Sequence, residues 1–438
     1  VNQISAFFSQ FVIQVLGNIL LMAGVLVLLF FEDWRVGLAV TFFTLTALYV
    51  VLRLRNVSVP HWNAERQASA EMYGFLEERL AGTEVLLCCS HTHSGPIAYA
   101  DKKSSRLNRT YIDLLVERIV DAVQQAASNL QPARLEYSLG EGSVGINRRE
   151  RLPDGRMEIG RNPDGPRDKS VQVLSVMTEA GRLATVVNYA CHGTVLGPDN
   201  LLTSADWIGV MRQKVESELG GLALFLQGAT ANINPDMYWG DSQVFEKVTE
   251  QGLSVADSVL AAVRSGSEEM KSTPIRVERT QAWMPTETQA ATSHPPKNYT
   301  APLLAMAHLP GFMAVFADML LDQRYPWKPV IVAKNGFWSV PMRVSAVQIG
   351  ELALVTFGAE TFTEIGMKLK AASPARRTLF ASITDGSISY LHTAESHAEG
   401  GYEVDVAPLA YRYPGRFQAQ CEQIALDSAQ DMLKKLWS

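Results

Sequence analysis

Cysteine is scarce in this chain, four in 438 residues. Cys88, Cys89, Cys191 and Cys421 fall at spacings that make neither a disulfide framework nor a paired C-x-x-C zinc site. They read as small buried apolar residues. Surplus basic charge is missing too: 39 Lys and Arg stand against 45 Asp and Glu, for a formal net charge of -6. General nucleic-acid binding needs a basic face, so that class of partner is excluded. No G-x-x-x-x-G-K-[ST] loop and no L-S-G-G-Q-like run occurs, which leaves the chain without an ATP site. There is no internal repeat. No basic n-region or small-residue cleavage site accompanies the first apolar run, so it does not read as a signal peptide. With Val at position 1, the first residue reads as something other than a natural start.

Apolar residues make up 47% of the chain, and their excess is concentrated in the first 55 positions. Phe11 to Phe31 carries no charge and is long enough to cross a hydrocarbon layer, for which ~20 residues are needed. Glu32, Asp33, Trp34 and Arg35 form a polar turn, and Val36 to Leu52 is a second apolar run ended by Arg53 and Arg55. Two membrane helices joined by a tight turn are expected. Past Pro60, Trp62, Ala68, Met72, Phe75, Leu76 and Leu80 recur at helical spacing opposite charged residues. This predicts an amphipathic helix ending near Gly82.

From Val85 onward the periods change. Val85–Ser90 has strand length, and Tyr111–Leu130 repeats at helical spacing. Leu135, Tyr137 and Leu139 alternate as in a half-buried strand. Strands are predicted over 171–177, 183–190, 222–226, 275–283 and 345–357. Helices are predicted over 206–219 with Ser204 as N-cap, 244–264 and 361–372. Met284–Thr300 is polar and proline-bearing and is expected to be a surface loop. The expectation is an α/β domain with a mixed sheet, residues 85–438, behind a membrane segment, residues 1–84.

Chemistry concentrates at the ends of predicted strands. His91 and His93 stand two apart; on extended backbone, residues i and i+2 share a face, so both imidazoles could enter one cleft. A metallo-β-lactamase-like site would want an Asp and another His soon after, which Ser94-Gly95-Pro96 does not supply. A barrel amidohydrolase also begins with H-x-H after a strand and remains an alternative. His192, in N-Y-A-C-H-G-T, and Glu360 lie at two further strand ends. Imidazole and carboxylate are zinc ligands, and a catalytic zinc keeps one position for water, whose pKa falls to ~7.

Several segments, taken together, carry a resemblance to the neutral/alkaline ceramidase family. V-L-L-C-C-S-H-T-H-S-G-P is similar to that family's most recognisable motif. The resemblance implies that His91 binds zinc and His93 transfers protons. N-Y-A-C-H implies a second zinc histidine, His192. F-G-A-E-T-F-T implies the carboxylate ligand, Glu360. D-G-S-I-S-Y-L-H-T-A implies Tyr390 as the last member of the zinc shell. Gly401-Tyr402-Glu403 implies Tyr402 as support for the oxyanion, and I-N-R-R implies Arg148 near the substrate head group. Read without the resemblance, Arg148 is a solvated loop residue and Tyr402 a core aromatic. The chain departs from the family at Ala231-Asn232-Ile233-Asn234-Pro235, where a glycine and a carboxylate are lost. The family's opening strands and its C-terminal sandwich domain are also expected to be missing. Residues 1–84 have a separate resemblance, carried by G-V-L-V-L-L-F-F-E-D-W-R-V-G-L-A and A-E-R-Q-A-S-A-E-M-Y-G-F-L-E-E-R-L-A-G-T-E. These look like the middle of an ABC exporter membrane domain.

The sequence therefore predicts a zinc-dependent hydrolase of a lipid-like N-acyl amide, held at a membrane by its N-terminal helices. Arg53, Arg55 and Arg66 follow the second helix and place the hydrolase on the cytoplasmic side by the positive-inside tendency. The family resemblance implies the opposite side, since ceramidase-like enzymes usually act outside the cytosol. A reading from another class is a non-catalytic membrane protein, or a fusion or assembly artefact, in which an exporter fragment precedes a truncated hydrolase.

Overall fold

The computed structural model of the protein describes residues 85–96, 106–197, 199–236, 244–271, 275–291, 331–411 and 413–438, with scattered positions between 31 and 42. The chain divides into two units, Val1–Gln67 with Tyr299–Trp327, and Ala68–Asn298 with Lys328–Ser438. Among the described residues no helix is long and apolar enough to cross a membrane. The expected spans over 11–31 and 36–52 and the helix past Pro60 lie outside the described residues, apart from those scattered positions. The membrane hairpin therefore finds no support in the structure.

The second unit begins with α1 (Arg106–Ser128), β1 (Arg134–Glu141), β2 (Gly145–Arg151), β3 (Met157–Asn162), β4 (Ser170–Thr178) and β5 (Gly181–Tyr189). It continues through α2 (Asp206–Leu219), β6 (Leu222–Gln227), β7 (Ile233–Pro235), α3 (Val244–Arg264), β8 (Glu268–Met270) and β9 (Arg276–Gln289). Then come β10 (Val332–Lys334), β11 (Phe337–Ile349), β12 (Leu352–Phe357), β13 (Glu360–Thr361), α4 (Thr363–Ala372), β14 (Arg377–Ala381) and β15 (Tyr390–Leu391). The chain closes with α5 (Ala394–Glu399), a π turn (Tyr402–Val406), α6 (Ala407–Ala410) and α7 (Cys421–Trp437).

Two mixed sheets stack face to face with helices outside them. The first has the order β6-β5-β4-β1-β8; the second runs β10-β11-β12-β14, with β9 also paired to β11. Alternation within the strands decides the layering. In β4 and β5, Val171, Val173 and Val187 pack with Trp207, Met211 and Val255 of α2 and α3. Their neighbours Leu174 and Val186 face the other way and meet Leu352, Leu354 and Leu379 of the second sheet. The second sheet turns Ala353, Val355 and Phe380 toward Ile365 of α4 and Leu433 of α7. Strands buried on both faces read as nearly continuous apolar runs, which is why these segments were legible. Each fully buried large side chain, such as Trp207 or Phe357, contributes about 1.5–3 kcal/mol relative to exposure.

Three expectations need correcting. Met284–Gln289 is not loop but the end of β9, because Met284 and Thr286 are buried and the strand pairs with β11 through Val340↔Met284 and Ser339↔Pro285. The run at 345–357 is a hairpin, turned at Gly350 with φ 63. Val85–Ser90 belongs to none of the sheets; it makes the isolated bridge Cys88↔Thr384, and Leu87 N–H donates to Asp385 Oδ1 at 2.9 Å. Ser204 Oγ does accept from Asp206 N–H at 3.0 Å, one residue ahead of the helix's own cap position, Ala205.

Candidate metal centre

The parallel pairs β5/β6 and β12/β14 meet at their carboxyl ends, where Ser382 N–H donates to Gln227 O at 2.9 Å, and the loops after β5, β12 and β14 build the site there. Open α/β sheets present ligand sites at the carboxyl ends of their strands for this reason. The strip 85–96 is stitched across these loops. Cys89 N–H donates to Ile383 O at 3.3 Å and His93 N–H to Gly193 O at 3.2 Å. Thr92 Oγ1 donates to Ser204 O at 2.8 Å. Gly193 permits the crossing, since a Cβ there would stand 3.3 Å from Thr92 Cα and 3.4 Å from Ile208 Cδ1.

The imidazoles of His91, His93 and His192 converge, with one ligand atom from each lying within 4.8 Å of the others. The reason differs from the extended backbone expected from the sequence. His91 has φ 61, a left-handed conformation uncommon for a residue with a side chain. That kink brings its Nε2 to 3.2 Å from Nε2 of His93. Glu360 Oε2 lies 3.4 Å from Nε2 of both His91 and His192. His192 is fully buried and its Nδ1 lies 2.9 Å from Ile233 O. A carbonyl can only accept, so Nδ1 carries the hydrogen and Nε2 turns a lone pair into the site. Trp207 Nε1 donates to His192 O at 2.8 Å and Gln227 Nε2 to Cys191 O at 2.9 Å, fixing the histidine from behind.

The electrostatics are unbalanced in one direction. Burial holds His192 near a pKa of about 4, so it is neutral at pH 7. The His93 residue is exposed at the mouth, yet burial of its ring and then the neighbouring His91 and His192 push it well below the usual imidazole range. Glu360 goes the other way. Burial opposes ionisation, but His91 and His192 outweigh it and hold the carboxyl well below its ordinary value. The buried carboxylate and the neutral His192 turn a negative charge and a lone pair toward one point. His192 Nε2 and Glu360 Oε2 are both buried without a hydrogen-bond partner among the described residues. Such groups are costly unless a cation or donor meets them. The donor set fits zinc, and other divalent ions that accept imidazole and carboxylate.

Around this centre stand the remaining residues singled out from sequence. Tyr390 pairs with Glu360 in the β13/β15 register. Burial and then the Glu360 charge raise its phenol well above the usual value. Tyr402 lies against Tyr390, ring centroids 5.7 Å apart, and its phenol is raised by burial and then by Glu360. Arg148 is buried, not solvated, with Cζ 5.5 Å from the Tyr390 ring. Its Nε donates to Glu403 Oε1 at 2.9 Å and Nη1 to Asn234 Oδ1 at 3.2 Å, while Nη2 has no partner among the described residues. All seven expected residues thus lie in one neighbourhood. Sequence reasoning missed the salt bridges of Glu403 and the Asn234 contact, for which no local signal exists.

Comparison with known proteins agrees with this architecture. The sequence profile for neutral/alkaline non-lysosomal ceramidase, N-terminal, matches residues 65–237. The match contains His91, His93, Arg148 and His192; Glu360, Tyr390 and Tyr402 lie beyond it. It begins inside the segment that resembled an exporter, and the exporter likeness finds no support in these comparisons. The neutral ceramidase of Pseudomonas aeruginosa is 24% identical, over 80% of this chain and 60% of its own length. The crystal structure of neutral ceramidase from Pseudomonas aeruginosa superposes with TM-score 0.60 at 19% identity, covering 84% of this chain and 64% of that one. A structure of ceramidase complexed with C2 gives 0.61 at 19% identity, over 86% and 66%. This chain therefore spans about 60% of the length of the curated relative it matches, and the structural likeness establishes a shared fold.

Proposed function

We propose that this chain is a zinc-dependent hydrolase of an N-acyl amide bond, with a ceramide-type lipid amide as its substrate class. The observation that carries the reading is the buried carboxylate of Glu360 facing His91 and His192, with His192 Nε2 and Glu360 Oε2 unpartnered among the described residues. The similarity to neutral ceramidases supplies the substrate class.

His91, His192, Glu360 and Tyr390 would hold the zinc, which supplies Lewis-acid polarisation of a carbonyl and lowers the pKa of a water. The chain's own groups do the rest. His93, neutral at pH 7, has the capacity to take a proton from attacking water and return it to the leaving amine. That return matters, because an unprotonated amine departs poorly. Arg148 Nη2 and the Tyr402 phenol are donors suited to the carbonyl oxygen as it gains charge, and fixed donors in a buried site are worth more than in water. Arg148 stays protonated despite burial, because Tyr390 and Glu403 beside it outweigh the burial cost.

The test is elemental analysis of the purified chain beside a His91→Ala, His192→Ala double variant, followed by assay of released amine from short-chain N-acyl amino alcohols. Near-stoichiometric zinc, lost in the double variant, with amine release by the parent chain is the expected result. A folded chain that holds no metal and releases no amine defeats the proposal.

A further inference from the structure

The turn that carries Tyr402 presents a second acidic side chain that the proposed reaction does not use. Glu403 is 1% exposed. Its Oε1 accepts from Arg148 Nε and its Oε2 from Arg149 Nη1, both at 2.9 Å. Consecutive residues of a regular strand point to opposite faces, so Arg148 and Arg149 should not reach one carboxylate. They do because β2 slips against β3 between Asn147 and Arg149, and a bulge of this kind re-aims side chains. Asn147 Oδ1 accepts from Arg149 N–H at 2.9 Å and holds that irregularity.

The two arginines end differently. Arg149 Nη2 donates to Gly400 O at 2.8 Å and to Glu399 Oε2 at 3.2 Å. Arg148 Nη2 is the guanidinium nitrogen left buried and unpartnered among the described residues. Glu403 therefore fixes the plane of Arg148 while Arg149 anchors Glu403 from behind. The same residue belongs to the π turn that sets Tyr402, whose other end is tied by Gly401 N–H to Asp405 Oδ2 at 2.7 Å.

We propose that Glu403 is a positioning residue: from one carboxylate it fixes both Arg148 and the turn behind Tyr402, so that their two donors address the same substrate oxygen. The inference rests on the reading under Proposed function and adds to it the group that sets the geometry of the two donors.

A double-variant cycle on the full chain tests it, using Glu403→Gln, Arg148→Gln and the pair. Glu403→Gln is expected to lower kcat by about 10- to 100-fold, the scale of a misplaced catalytic group, with KM and zinc content within about twofold. If Glu403 acts partly through Arg148 and partly through the Tyr402 turn, the pair loses less than the product of the two single losses, whereas independent roles multiply. Multiplying losses, an unchanged kcat in Glu403→Gln, or a change confined to KM overturns the proposal. Should Glu403→Gln not fold, Glu403→Asp keeps the charge but withdraws it by one methylene, and a loss of about tenfold in kcat is expected. If the parent chain hydrolyses no N-acyl amide, the functional reading fails on its own. The positioning claim is then decided by the Arg148 Nε–Hε NMR signal. It is expected to be exchange-protected in the parent and broadened in Glu403→Gln; an unchanged signal refutes it.

Discussion

Replacing Glu360 by glutamine separates a metal ligand from an ordinary buried ion-pair partner, because only the first predicts a loss that depends on zinc. The substitution is nearly isosteric and removes one negative charge from a group only 6% exposed. An amide oxygen is a poorer zinc ligand than a carboxylate, and the amide NH2 can place hydrogens against lone pairs of His91 and His192, both 3.4 Å away. Groups one layer behind a metal cost 10- to 100-fold in affinity when lost. A ligand lost outright should cost at least ~100-fold, about 2.7 kcal/mol. Metal-dependent stabilisation follows RT ln(1 + [L]/Kd), so at a zinc level of 100 Kd the parent gains about 2.7 kcal/mol and the variant less than about 0.5. Without metal only a smaller cost remains, because His91 and His192 hold the parent's carboxyl below its ordinary value and so favour its ionised form, and no zinc-dependent gain is lost.

The assay is thermal or urea unfolding of parent and Glu360→Gln in zinc and in chelator, with elemental analysis alongside. The expected pattern is a parent whose advantage over the variant grows by about 2 kcal/mol when zinc replaces chelator. If the variant is less stable in chelator by 3 kcal/mol or more, the scale for breaking a buried ion pair, and both proteins hold equal zinc, the reasoning fails. Glu360 would then be an ion-pair partner with no metal to hold.

Three further outcomes follow from contacts around the site. Trp207→Phe removes the donor to His192 O, 2.8 Å away; loss of about 1–3 kcal/mol is expected from the unpaired carbonyl, read by urea denaturation, and an unchanged midpoint would contradict it. Gly193→Ala drives a Cβ to 3.3 Å from Thr92 Cα, so overpacking should cost about 1–3 kcal/mol. Zinc affinity, measured by chelator competition, should fall about tenfold or more as the H-T-H strip shifts. Asp168→Asn breaks the contact of Lys370 Nζ with Oδ2 at 2.7 Å. Burial raises the Asp168 pKa, but Lys370 and Ser170 outweigh it and depress the folded value. Its contribution is therefore present above the unfolded pKa of about 3.9 and lost as pH falls through the folded one. A cost of about 1.5–3 kcal/mol at pH 7 should shrink toward pH 3, and a pH-independent cost would refute the ion pair.

The helices over 206–219 and 244–264 were legible because apolar period and turn residues agreed, and strands β4 to β6 because both faces are buried. His91 and His93 were placed together by an argument from extended backbone that the structure does not obey. They meet because the strip is kinked at His91 and pinned by Gly193 and Ser204. The end of β9 was hidden by Pro285 and polar neighbours. There Pro285 O accepts from Gln418 N–H at 2.9 Å and Cys421 Sγ stands 3.4 Å from it, contacts made by the segment leading into α7. Tertiary partners override local signals at such positions. Arg148 read as solvated for the same reason, since the carboxylate that lets it be buried is 255 residues away.

That contrast between two buried carboxylates also separates scaffold from chemistry. Glu403 has each oxygen met by a guanidinium at 2.9 Å, so its charge is matched and its role is to hold other groups in place. Glu360 is as deeply placed, yet its Oε2 meets only imidazole nitrogens, one of which carries its hydrogen on the far side of the ring. Imidazoles at 3.4 Å are weaker partners for a buried carboxylate than two guanidinium groups at 2.9 Å, and a bound cation would offset the remaining cost. The same unfilled valence recurs on His192 Nε2, contributed by the end of a different sheet. Two unpaired acceptors from separate sheets, aimed at one point, are what a cation site requires of its protein and what a purely structural network avoids.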